Sequence, residues 1–88
     1  MKYQLSSQQI ASKVAGETVI LNYGKGAYYS LDEVGVRIWD TLEKGPQTIE
    51  TLCEAVIEEY QIDMDTCKSD LDALLKDLIS EGLVETIK

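Results

Sequence analysis

The chain has 88 residues, with sixteen acids, eight bases and no histidine, and a net charge of −8. That length makes one domain with one modest core and no large substrate cavity, and the missing histidine removes the commonest general acid/base and metal ligand. The acidity argues against bulk binding to nucleic acid or an anionic membrane, while 44% hydrophobic and 27% charged residues describe a globular chain.

Residues Met1 to Gln9 hold no apolar run, so they carry no secretory signal. No stretch approaches the ~18 apolar residues of a membrane span, and a cytoplasmic location is expected. From residue 10 to 31 the chain reads as β. Ile10–Val14 is a short strand. Glu17–Asn22 is rich in β-branched and apolar residues. Tyr23-Gly24-Lys25-Gly26 is turn chemistry, because glycine reaches positive φ without penalty. Ala27–Leu31 returns as the other arm of a hairpin.

From residue 32 the period is helical. Ser30-Leu31-Asp32-Glu33 resembles a capping box, with Asp32 as the alternative cap. Val34, Ile38 and Leu42 recur every four residues, with Trp39 beside them, and Gly45-Pro46 ends the helix. Thr48 is positioned to cap a second helix. Its apolar stripe is Ile49, Leu52, Cys53, Val56, Ile57 and Tyr60, with Glu50, Glu54, Glu58 and Glu59 mostly off it. Asp63 or Asp65 caps a third helix, whose apolar set is Met64, Cys67, Leu71, Leu74, Leu75, Leu78 and Ile79. Gly82 stops it, and Leu83–Ile87 follows as a short strand or apolar tail. The order predicts an α+β, winged helix-turn-helix-like domain spanning residues 1–88: a three-stranded antiparallel sheet followed by three helices. Charge divides at the same boundary. Residues 1–31 hold three lysines against Glu17, net +2; residues 32–88 hold five bases against fifteen acids, net −10.

Catalytic and metal chemistry find little support. Asp63-x-Asp65 and Asp70-x-Asp72 lack the glycine and terminal glutamate of a calcium loop. Cys53 and Cys67 have no histidine base and are too few for zinc. Both fall on apolar helical positions and are expected to be buried and reduced, a disulfide being the alternative. Gly24-Lys25-Gly26 is not a phosphate loop. No cofactor or metal is expected. A winged-helix order raises DNA binding, but the second helix carries glutamates and no base.

Binding through apolar surface and backbone remains. Tyr28 and Tyr29 are adjacent on a strand and point to opposite faces. The apolar set of the third helix is wider than one stripe, which suits either contact with the Leu83-Val84 tail or a groove. An open edge at Tyr28–Leu31 beside that helix would accept an extended peptide, with Lys68 and Lys76 meeting its carboxylates.

The run Gly26-Ala27-Tyr28-Tyr29-Ser30-Leu31-Asp32-Glu33-Val34-Gly35, with Leu21-Asn22 before it and Ile38-Trp39 after, is similar to the PqqD-like family. Gly45-Pro46-Gln47-Thr48-Ile49, Tyr60-Gln61-Ile62-Asp63, Asp70-Leu71 and Leu78-Ile79-Ser80-Glu81-Gly82-Leu83 continue it in register, so the resemblance spans about Glu17 to Val84. It implies a precursor-peptide recognition element of ribosomally made, modified peptides. Such modules do no chemistry. They bind a leader segment as an added strand between the third strand and third helix, and present it to a leader protease or other modifying enzyme. Carried over, the strand side is Tyr28, Tyr29, Ser30 and Leu31, and the helix side is Lys68, Leu71, Asp72, Leu75 and Lys76. A helical rotation of about 100° would exchange Leu71 and Leu75 for Leu74 and Leu78. The chain ends soon after Gly82-Leu83, as a stand-alone form would. Tyr-Tyr-Ser-Leu-Asp-Glu and Leu-Asp-Ala-Leu-Leu look more like the lasso-peptide branch than the pyrroloquinoline quinone branch. A DNA-binding regulator is the alternative from another class.

Overall fold

In the computed structural model, which describes residues 1–15 and 17–87, the elements run β1 (Lys2–Leu5), β2 (Gln9–Val14), β3 (Glu17–Asn22), β4 (Ala27–Leu31), α1 (Glu33–Glu43), α2 (Ile49–Glu59), α3 (Met64–Ser80) and β5 (Val84–Ile87). The period-two segment closes into an antiparallel meander in the order β2-β3-β4. Its register pairs Ile20 with Ala11 and Tyr29, and Leu21 with Ile10 and Tyr28. The side-chain period of two therefore sends Thr18, Ile20, Asn22, Tyr29 and Leu31 inward. The row Ile10, Leu21 and Tyr28 lies on the outer face. Gly26 takes φ +69° in the hairpin turn and its N–H donates to the Asn22 carbonyl at 2.7 Å.

The helix starts are set by local chemistry. Asp32, not Ser30, caps α1, accepting from the Gly35 N–H at 2.7 Å. Thr48 caps α2 through the Thr51 N–H at 3.2 Å, and Asp63 caps α3 through the Thr66 N–H at 3.2 Å. At the end of α3 the Leu83 N–H bonds the Leu78 carbonyl at 2.9 Å and the Gly82 N–H bonds Ile79 at 3.0 Å. This paired pattern needs the left-handed Gly82, φ +73°.

Ile20 and Leu31 of the sheet, Ile38, Trp39 and Leu42 of α1, Leu52, Cys53 and Val56 of α2, and Cys67, Leu71, Leu75 and Leu78 of α3 form one core. Each large aliphatic residue withdrawn there contributes about 1.5–3 kcal/mol relative to exposure. Both cysteines are free and buried within it.

The sheet and helix order matches the expectation, with one addition. Lys2–Leu5 pairs antiparallel with Val84–Ile87 in a second sheet. Tyr3 also exchanges two main-chain bonds with Gln47, at 2.7 and 2.9 Å, and is buried. That partner strand lies at the other end of the chain, so local sequence carries no sign of it. The Leu83-Val84 tail is buried by the same pairing. No helix is long and apolar enough to cross a membrane.

Candidate functional site

β4 is an edge strand: β3 pairs one side and no strand pairs the other. Among the described residues, no backbone hydrogen bond beyond the β3 ladder involves Ala27–Leu31. Such an edge leaves the N–H and C=O groups of alternate residues available to an added strand.

The β4 side chains divide as alternation requires. Tyr28 stands on the outer face at 72% exposure and Ser30 is exposed there too. Tyr29 is half-buried against the core and Leu31 lies within it. Burial pushes the Tyr29 hydroxyl above its ordinary pKa, with the negative charges of Asp77, Asp32 and Glu81 adding to the effect. Tyr29 thus looks across to the C-terminal half of α3.

Below the β4–α1 junction, Asp32, Val34, Asp70, Leu71 and Leu74 line a cavity of about 280 Å³. Val34 and Leu74 are half-buried, so both offer apolar surface to an incoming side chain. Asp70, Leu74, Asp77 and Glu81 follow the i, i+4, i+7, i+11 spacing of one helical line. That line is the flank of α3 beside β4.

The expected helix-side residues divide between the core and two flanks of α3. Leu71 and Leu75 are 1% exposed and belong to the core, although Leu71 also forms part of the cavity wall. Lys68 reaches Glu50 of α2 at 3.5 Å, so it projects toward α2. Asp72 and Lys76 pair with each other at 3.0 Å. Lys68 and Asp72 lie across the buried stripe from Asp70 and Asp77, and Lys76 lies beyond them. The structure therefore does not bring Lys68, Asp72 or Lys76 to β4. Of the rotated pair, Leu74 lines the cavity and Leu78 is in the core. Asp70 and Asp77, which flank Leu74 on that line, had a signal in their spacing to it, but charge alone made them look like solvated surface.

Other chemistry is sparse. Cys67 Sγ lies 3.9 Å from the Cys53 carbonyl, and burial followed by the hydrogen bond with Cys67 pushes the Cys53 thiol up to about 12. A thiol so held is a poor nucleophile. On α2 the exposed side carries Glu50, Thr51, Glu54, Glu58 and Glu59, a surface that repels phosphate.

A family model described as Coenzyme PQQ synthesis protein D (PqqD) matches residues 17–84. Among solved structures, TbiB1 in complex with the TbiA(beta) leader peptide is 33% identical, with a TM-score of 0.87 over 97% of this chain and 98% of that one. Lasso peptide synthetase B1 complexed with the leader peptide shares the fold at a TM-score of 0.84 and 19% identity, over 98% of this chain and 100% of that one. No curated protein matches the sequence.

Proposed function

The chain belongs to the PqqD family, and we propose that it is a non-catalytic adaptor that captures the leader segment of a ribosomal precursor peptide on β4. The observation that carries this reading is the unpaired edge of β4 beside an apolar-floored cavity. An extended segment gains main-chain hydrogen bonds from the edge and places alternate side chains toward Tyr29, Val34 and Leu74. The 33%-identical relative solved with a leader peptide supports the same ligand class here. The bound leader is then presented to a leader protease or other modifying enzyme, whose groups do the chemistry. Lasso-peptide biosynthesis is the setting we favour, because the runs Tyr28-Tyr29-Ser30-Leu31-Asp32-Glu33 and Leu71-Asp72-Ala73-Leu74-Leu75 look more like that branch. The family description favours pyrroloquinoline quinone synthesis as a second setting, served by the same groove.

The test is a backbone-amide NMR titration with the TbiA(beta) leader peptide. Shifts and slowed exchange should concentrate in Tyr28–Leu31 and Asp70–Asp77. Shifts confined to β2 or α2 would end the strand-addition reading.

A further inference from the structure

We propose that the groove between β4 and α3 selects a cationic segment, one whose lysine or arginine side chains flank an apolar anchor. This rests on the reading that the groove takes a peptide strand, and it goes on to state what that strand must carry.

The charges facing the groove come from three places. Asp32 from the β4–α1 junction and Asp70 from the flank of α3 line the cavity, and Asp77 from that flank and Glu81 from its C-cap lie close enough to act on Tyr29 of β4. All four are acids. Among the described residues, no lysine or arginine forms an ion pair with any of them. The cations of the helices point elsewhere. Lys68 is held by Glu50, Lys76 by Asp72, and Arg37 by Glu58 and Glu59. Lys25, at the hairpin end, directs its ammonium to the Ser80 carbonyl at 2.9 Å.

A strand laid on β4 covers these carboxylates and withdraws water from them. An acidic strand is repelled. A neutral strand leaves charge partly desolvated with no counter-ion, which costs free energy. A lysine or arginine lays its alkyl stem over Val34 and Leu74 and brings its charged head to Asp70 or Asp77. Asp70 and Asp77 are two helical turns apart, about 10 Å along the axis, and two same-face residues of a strand at i,i+4 span about 13 Å, a difference that the long stems of lysine or arginine take up. The floor is apolar and the rim acidic, so one apolar anchor between two basic residues satisfies both.

The experiment pans a random dodecapeptide display library against the full chain at low salt, then maps each selected peptide by amide NMR. Groove binders should be net positive and lose affinity at high salt. Asp70→Asn with Asp77→Asn should weaken them about three- to tenfold, as expected for two solvent-facing charge contacts. Asp72→Asn should leave them unchanged. Groove binders that are neutral or acidic, and indifferent to the double substitution, would overturn the charge selection while leaving peptide capture intact. A selection that yields no peptide mapping to β4 and α3 would overturn both.

Discussion

The side-chain amide of Asn22 donates a 2.8 Å hydrogen bond to the main-chain carbonyl of Glu81, joining the end of β3 to the C-cap of α3. The same Asn22 accepts from the Lys25 N–H at 3.1 Å. One buried side chain thus holds the hairpin turn and the helix end together, and fixes the hairpin end of the groove. Helix C-termini gather unsatisfied carbonyls, so this is where a donor is most useful. Asn22→Ala should cost about 1–3 kcal/mol, because it leaves partly buried polar groups without their partner. A lower urea midpoint with an unchanged slope is the expected result, and an unchanged midpoint would deny Asn22 this role.

Gly82 sits beside that contact. Its φ is +73°, and a Cβ there would lie 2.8 Å from Asn22 Nδ2. Gly82→Ala should destabilise by about 1–2 kcal/mol from backbone handedness alone, with the steric clash added. Thermal unfolding measures it; a variant as stable as the parent would mean that α3 ends differently in solution.

The phase of α3 separates two substitutions of neighbouring leucines. Leu74→Ala should weaken leader-peptide binding by about 1–3 kcal/mol if Leu74 anchors the ligand. Leu75→Ala empties a core site and should cost about 2–5 kcal/mol of folding stability. Lys76→Ala should change neither by more than about 0.5 kcal/mol, since an exposed i,i+4 pair contributes little. Calorimetric titration and urea unfolding of all three read the phase directly. Peptide binding lost in Lys76→Ala but kept in Leu74→Ala would place the groove on the other flank.

The buried Cys53 thiol contributes to the alkaline limb of stability. Its pKa rises from 9.0 to about 12 on folding. A raised folded value means that the native state holds the proton more tightly. The stabilisation is complete below about pH 9 and is lost as pH rises through about 12. Cys53→Ala should flatten the fall in urea midpoint between neutral and alkaline pH. Native thiol labelling should be slow at neutral pH and quick only in denaturant. Rapid native labelling would show that the thiol is open to solvent.

Asp63 acts on the acid limb. Its carboxylate accepts from the Thr66 hydroxyl at 2.6 Å and the Thr66 N–H at 3.2 Å, and these bonds hold its pKa below the usual carboxylate range. A lowered folded value gives stability present above the ordinary carboxylate pKa and lost as pH falls through the native one. Asp63→Asn keeps a capping oxygen but removes that acid dependence, whereas Asp63→Ala loses the cap as well. Midpoints at neutral and acid pH order the three proteins. Equal acid slopes in parent and Asp63→Asn would remove Asp63 from the titration.

Much of the fold was legible because it is written in short-range chemistry. The change of period after Leu31, the caps at Thr48 and Asp63, and the stop at Gly82 all depend on residues within one turn of each other. The inward and outward sides of Tyr29 and Tyr28 follow from strand alternation in the same way, though alternation does not say which of the two turns in. The buried stripe of α2 was equally plain, since Leu52, Cys53 and Val56 repeat at helical spacing.

The groove was less legible. Seven apolar residues on α3 make a band wider than the core needs, and the band does not declare which flank meets the sheet. Lysines at residues 68 and 76 looked like partners for a peptide, but helical phase sets them on the flank away from β4, where they pair with Glu50 and Asp72.

By itself, then, the amino-acid sequence determined the order of elements from β2 to α3, the approximate helix limits, the alternation of strand faces and the absence of histidine chemistry, since each follows from local dihedral, capping, periodic or compositional constraints. Tertiary packing decided the rest. It paired β1 with β5 across the length of the chain, left the outer edge of β4 unpaired, and turned Asp70 and Leu74 into the cavity beside it, with Asp77 near Tyr29. Those outcomes depend on which surfaces bury together, a nonlocal balance that a helix or strand cannot encode alone.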